Sequence, residues 1–113
     1  MEEVLMSKQK LITELAEVIR SKIAGPYELT FDIIMKDTDS YELVKKSGVI
    51  NKKLISELYN IPEEKVLIIE EYNPARAIKI TIIKPVESGN KFDTDVMGTQ
   101  QHAPLLNIMV PYH

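Results

Sequence analysis

Arg20-Ser21-Lys22 places two cations and a hydroxyl two residues before Gly25-Pro26. Arginine offers a bidentate fork and lysine a point charge, so a turn carrying both can hold a carboxylate or a phosphate. The same residues also suit the last turn of a helix, where cations complement the negative end of the macrodipole. A second group comes from two alternating segments. Glu28, Thr30 and Asp32 share one face of the first, and Lys79 and Thr81 one face of the second. If the two are neighbours, carboxylates lie beside a lysine. That arrangement perturbs pKa values and suits acid–base work, or it forms an ordinary ion pair on a wet sheet surface. The third group is Gln100-Gln101-His102-Ala103-Pro104. A histidine titrates near neutrality, which makes His102, together with Asp32, a candidate proton carrier. Gln101 joins Arg20, Ser21, Lys22 and Lys79 as a candidate contact for an anionic substrate.

Other chemistries are excluded by what the chain lacks. With no cysteine there is no disulfide, thiolate metal site or cysteine nucleophile. Asp93 and Asp95 are oxygen donors of the kind magnesium and calcium take, but two carboxylates alone make no metal site. Neither a Gly-rich phosphate loop nor a His-x-x-x-His pair nor a nucleophile–base motif occurs, so no cofactor and no metal are expected. A formal charge of −3 gives no general attraction to nucleic acid. The basic pairs Lys45-Lys46 and Lys52-Lys53 suit solvated helix faces.

These groups must be positioned by a single domain, because 113 residues suffice for one core and no linker or repeat interrupts residues 1–113. Apolar runs such as Val66 to Ile69 fall far short of the ~20 residues of a membrane helix. The opening Met1-Glu2-Glu3 lacks the features of a secretory signal, so a cytoplasmic location is expected.

Residues 8–23 carry Leu11, Ile12, Leu15, Ala16, Val18, Ile19 and Ile23 at spacings that predict an amphipathic helix ending at Gly25-Pro26. From Tyr27 to Lys36 the pattern turns to period two and predicts a half-buried strand, broken only at Ile34. Asp39 and Glu42 are spaced as a capping box for a short helix that stops at Gly48. Asn51 opens another helix, with Leu54, Ile55 and Leu58 on one face and Asn60 at its end. Residues 65–72 and 76–84 are expected as strands joined at Asn73-Pro74, and Pro85 to Phe92 as a loop. Thr99 can cap a helix, and Leu105 to Val110 either continue it or form a last strand. The order predicts an α+β fold: a small, mostly antiparallel sheet with helices packed on one face, ferredoxin-like.

Three separated segments carry a family resemblance. They are the stretch from Val18 to Ile33 with its Arg20-Ser21-Lys22 and Gly25-Pro26-Tyr27, the stretch Asn73-Pro74-Ala75-Arg76-Ala77-Ile78-Lys79-Ile80-Thr81, and Gly98-Thr99-Gln100-Gln101-His102-Ala103-Pro104. In this order they resemble an uncharacterised small-protein family that accompanies the acyclic terpene utilisation (AtuA-type) proteins. The family is itself similar to the C-terminal ferredoxin-like domain of those proteins. Ile23 stands where the family commonly has Asn, and Thr99 where it has a small residue. The resemblance implies a small subunit that associates with a larger AtuA-type protein in the breakdown of acyl-CoA esters and small carboxylic acids, with a homo-oligomer also open. It also implies extended chain over residues 11–22, against the helix that the periodicity favours. The alternatives are a half-site of a hydratase or lyase, with an anion-binding Arg-Ser-Lys turn, and a stand-alone small-ligand regulator. In each, activity of the chain alone is not expected.

Overall fold

Strict alternation builds the centre of the molecule. In the computed structural model, which describes residues 8–24, 27–84 and 102–112, β3 (Glu28–Met35) buries every second residue: Leu29, Phe31, Ile33 and Met35. Its neighbour β5 (Ala77–Ile83) does the same with Ile78, Ile80 and Ile82. Side chains in a strand point to opposite faces in turn, so two such strands in register give one apolar and one polar surface. Two further strands, β2 (Ala16–Ile23) and β4 (Val66–Tyr72), complete an antiparallel sheet in the order β2-β3-β5-β4.

Between β3 and β4 the chain crosses the apolar face as two helices, α2 (Thr38–Ser47) and α3 (Lys52–Tyr59). Both are set by their ends. Asp37 caps α2 by accepting from the Ser40 N–H at 2.8 Å, two positions before the expected Asp39. Asp39 instead lies within the first turn, where an acid complements the positive helix end. Gly48 ends the helix at φ 67°, a left-handed conformation that costs glycine little. Asn51 caps α3 through the Leu54 N–H at 2.8 Å, and Asn60 terminates it at φ 55°. Tyr41 and Val44 from α2 and Ile55 and Tyr59 from α3 enter the core, with the Phe31 and Tyr59 ring centroids 5.0 Å apart.

Because β5 lies between β3 and β4, the β3-α2-α3-β4-β5 segment is a split β-α-β unit, as the ferredoxin-like expectation requires. The outer strand beside β3 is β2, which precedes it in the chain.

The expected helix over 8–23 is replaced by three pieces. These are β1 (Gln9–Leu11), a single turn α1 (Ile12–Leu15), and then β2. Ile12 and Leu15 are buried, while Ala16, Ile19 and Ile23 pack against the core, so the inward positions are 12, 15, 16, 19 and 23. Those intervals imitate a helix of 3.6 residues per turn. They arise from one helical turn followed by a strand whose register shifts between Ala16 and Val18, a bulge that inserts an extra residue before alternation resumes. The resemblance-based expectation of extended chain holds from Ala16 onward. At the other end, residues Ala103–Asn107 form a 3-10 turn and β6 (Met109–Pro111) pairs antiparallel with β1. The expected loop at 85–92 and the Thr99 cap lie outside the described residues.

Candidate functional site

The register of the four strands decides which polar side chains meet. Arg20 pairs with Asp32, Asp32 with Lys79, and Lys79 with Glu70, so one line perpendicular to the strands carries charges of +, −, + and −. It crosses the face away from α2 and α3, and no described element covers it. The Arg20 Nε donates to Asp32 Oδ2 at 3.3 Å, with the guanidinium side chain 64% exposed and the carboxylate 26%. An ion pair this wet contributes about 0–1 kcal/mol.

Two further rows flank it on the same face. Below lie Val18, Ile34, Ala77 and Tyr72, and above lie Lys22, Thr30, Thr81 and Ile68. Ile34, which breaks the alternation of its strand in the sequence, is thus the apolar residue that β3 adds to this face beside Glu28, Thr30 and Asp32. Small Ala75 and Ala77 leave room between larger neighbours, and a hollow of about 390 Å³ opens over Arg20, Asp32, Lys79 and Glu70, bordered by Ile34 and Tyr72.

The sequence-derived candidates divide accordingly. Arg20, Asp32 and Lys79 come together in this hollow. Lys22 points to the same face one row along, opposite Thr30, while Ser21 alternates to the other face and is half-buried. Arg20-Ser21-Lys22 is therefore strand, not a turn, and presents its two cations without the hydroxyl. His102 stands at the start of the 3-10 turn and is not among the residues lining the hollow. Its Nδ1 is enclosed and has no hydrogen-bond partner among the described residues, whereas a working base is normally oriented by a second group. Gln101 lies outside the described residues, as do Asp93 and Asp95.

Sequence reasoning missed Glu70. The signal for it was the alternation Ile68, Glu70, Tyr72, which the apolar run at Val66–Ile69 disguises because β4 also carries a register shift between Val66 and Ile68. It also missed the work of the Asn73-Pro74-Ala75-Arg76 motif. Asn73 Oδ1 accepts from the Tyr41 hydroxyl at 2.6 Å and from Lys45 Nζ at 3.3 Å, fastening α2 to the β4–β5 connection. The Lys45 ammonium also lies 4.9 Å from the centre of the Tyr41 ring. Arg76, left-handed at φ 54°, receives the Met35 N–H on its carbonyl at 2.8 Å and returns its Nε to the Met35 carbonyl at 3.4 Å. The motif is a clasp between the strands and α2.

Burial holds the Tyr41 phenol above its ordinary pKa, with Glu71 and Glu42 adding to the effect, and burial alone raises that of Tyr59. Both therefore remain neutral hydrogen-bonding groups. No helix among the described residues is long and apolar enough to cross a membrane.

Among known proteins, a family model described as "Domain of unknown function (DUF4387)" matches residues 12–109. No curated protein and no solved structure matches.

Proposed function

The chain belongs to the DUF4387 family, and on that premise we propose that it is a small, non-catalytic subunit that docks on a larger AtuA-type protein. The carrying observation is the edge of the sheet at β4. Its outer backbone groups meet no further strand among the described residues, and Leu67 and Ile68 are 42% and 39% exposed there. A free edge with apolar side chains is a natural site for a partner to add a strand or lay a loop. The register shift beside Leu67 keeps the edge from pairing indiscriminately. The AtuA-type partner and a role in acyl-CoA or small carboxylic acid breakdown rest on the resemblance carried by the Arg20, Asn73 and His102 segments.

A half-site reading has one observation in its favour, that Arg20 and Lys79 line the same hollow. There they would bind a carboxylate, with Asp32 moving a proton. Asp32 and Glu70 share that row, however, so its four formal charges sum to zero and it is a poor trap for an anion.

Co-expression with the neighbouring AtuA-type protein, read by native mass, tests the proposal. A stable complex is expected, and Leu67→Lys should abolish it while the isolated chain keeps its melting temperature. If the two proteins never co-purify, the subunit reading fails. Arg20→Ala with Lys79→Ala should leave binding to the AtuA-type protein and the activity of the complex intact; lost activity with that binding retained would favour the half-site.

A further inference from the structure

We propose that a second copy of this chain covers the open face of the sheet, the two copies being related by a two-fold axis that runs along the strands. The argument rests on the order of charges. A rotation of 180° about an axis parallel to the strands, passing between β3 and β5, lays each cross-strand row on itself in reverse. The sequence +, −, +, − then meets −, +, −, +. Arg20 opposes the second copy's Glu70, Lys79 opposes its Asp32, and both contacts occur twice, as an isologous interface demands. An axis running along the row would instead set every charge against its own copy. The row selects one symmetry and rejects the other.

The flanking rows agree. Reversal sets Ile34 against Ala77 and Tyr72 against Val18, large on small at the first pair and ring on methyls at the second. In the row above, Thr30 meets Thr81, and the Lys22 stem lies over Ile68, where its aliphatic carbons can cover apolar surface while the ammonium reaches water. Val18, Ile68 and Tyr72 are 36%, 39% and 60% exposed in the single chain, and all three project from this face. Sheets stacked face to face keep their strands within about 30° of each other, so an axis tilted about 15° from the strands satisfies both the packing and the charge order. Lys79 and Glu70 take part in no ion pair among the described residues, which leaves their charges available to the second copy. A free anion fits less well, since it must compete with Asp32 for Arg20. The outer backbone groups of β4 and Leu67 stay outside this contact, while Ile68 borders both surfaces.

Four strands at ~4.8 Å spacing and some six residues at ~3.3 Å rise give a face of about 20 by 20 Å. That is about 400 Å² per copy, below the roughly 600 Å² per partner at which stable interfaces begin, so dimerisation should be weak, depend visibly on concentration and weaken with salt. The test uses the chain alone, without any AtuA-type protein, in sedimentation equilibrium over a concentration series. Wild type is expected to dimerise. Arg20→Glu and Glu70→Arg, each alone, place like charges together twice and should weaken the dimer by about tenfold or more. Mixed in equal amounts, the two variants make a heterodimer in which all four contacts are again opposite in sign, so association should return. Circular dichroism checks that each variant is folded, which their exposed positions favour. A wild-type chain that stays monomeric throughout overturns the proposal. So does a dimer indifferent to both substitutions, or a mixture that does not recover.

Discussion

The two faces of the sheet are made by the same strands yet answer to different physics. On the helix-covered face Phe31, Ile33, Ile80 and Ile82 are fully buried, and each loses apolar area to its neighbours regardless of their identity. On the open face the residues between them meet through register alone: Asp32 opposite Arg20 and Lys79, Thr30 opposite Thr81, Ile34 opposite Ala77. One face is specified by composition and period. The other is specified by which residue stands across from which.

The largest expected contrast is a pair of truncations on adjacent residues. Phe31→Ala empties a core position that touches Tyr59 and should cost about 3–5 kcal/mol, whereas Thr30→Ala on the other side should stay within about 0.5 kcal/mol. Urea denaturation measures both, and equal losses would erase the distinction between the faces. Alkaline pH probes the covered side next. Tyr41 and Tyr59 have raised pKa values when folded, so their contribution is complete below the ordinary tyrosine range near 10 and declines as the pH rises toward the folded values. Thermal melts should show stability falling above about pH 10, more steeply in wild type than in Tyr59→Phe. Tyr41→Phe removes the donor to Asn73 and should cost about 1 kcal/mol, while Asn73 retains Lys45. The smallest effect belongs to the open face. Arg20→Ala should change the stability of the monomer by no more than about 1 kcal/mol, and salt should shrink that further.

The legibility of the fold follows the same division. The alternation from Leu29 to Met35 and from Ile78 to Ile82 was plain in the sequence because burial acts on every second residue. Gly48, Asn51 and Asn60 were plain because a left-handed residue or an amide cap has few substitutes. What hid β2 was local: one helical turn plus a bulge mimicked a longer helix at Ile12, Leu15, Ala16, Ile19 and Ile23. What hid half of the charged row was distance. The meeting of Asp32 with Lys79 could be anticipated if their strands were neighbours, but Arg20 and Glu70 joined them through strands whose register shifts near Ala16 and Val66. A bulge displaces the parity on which period-two reasoning depends, and both outer strands contain one.

The pairing of β1 with β6 matters in time as well as in space. Leu11 lies opposite Met109, and the Ile12 N–H donates to the Ile108 carbonyl at 2.8 Å, so these bonds join segments from opposite ends of the described chain. Closing so long a loop is entropically slow and gains little until the four-stranded sheet has formed. The small sheet should therefore form after the folding barrier. Substitutions in it would hasten unfolding with little effect on the folding rate. Its amides should exchange with solvent earlier than those of β3 and β5, so that the molecule comes undone first where its two ends are joined.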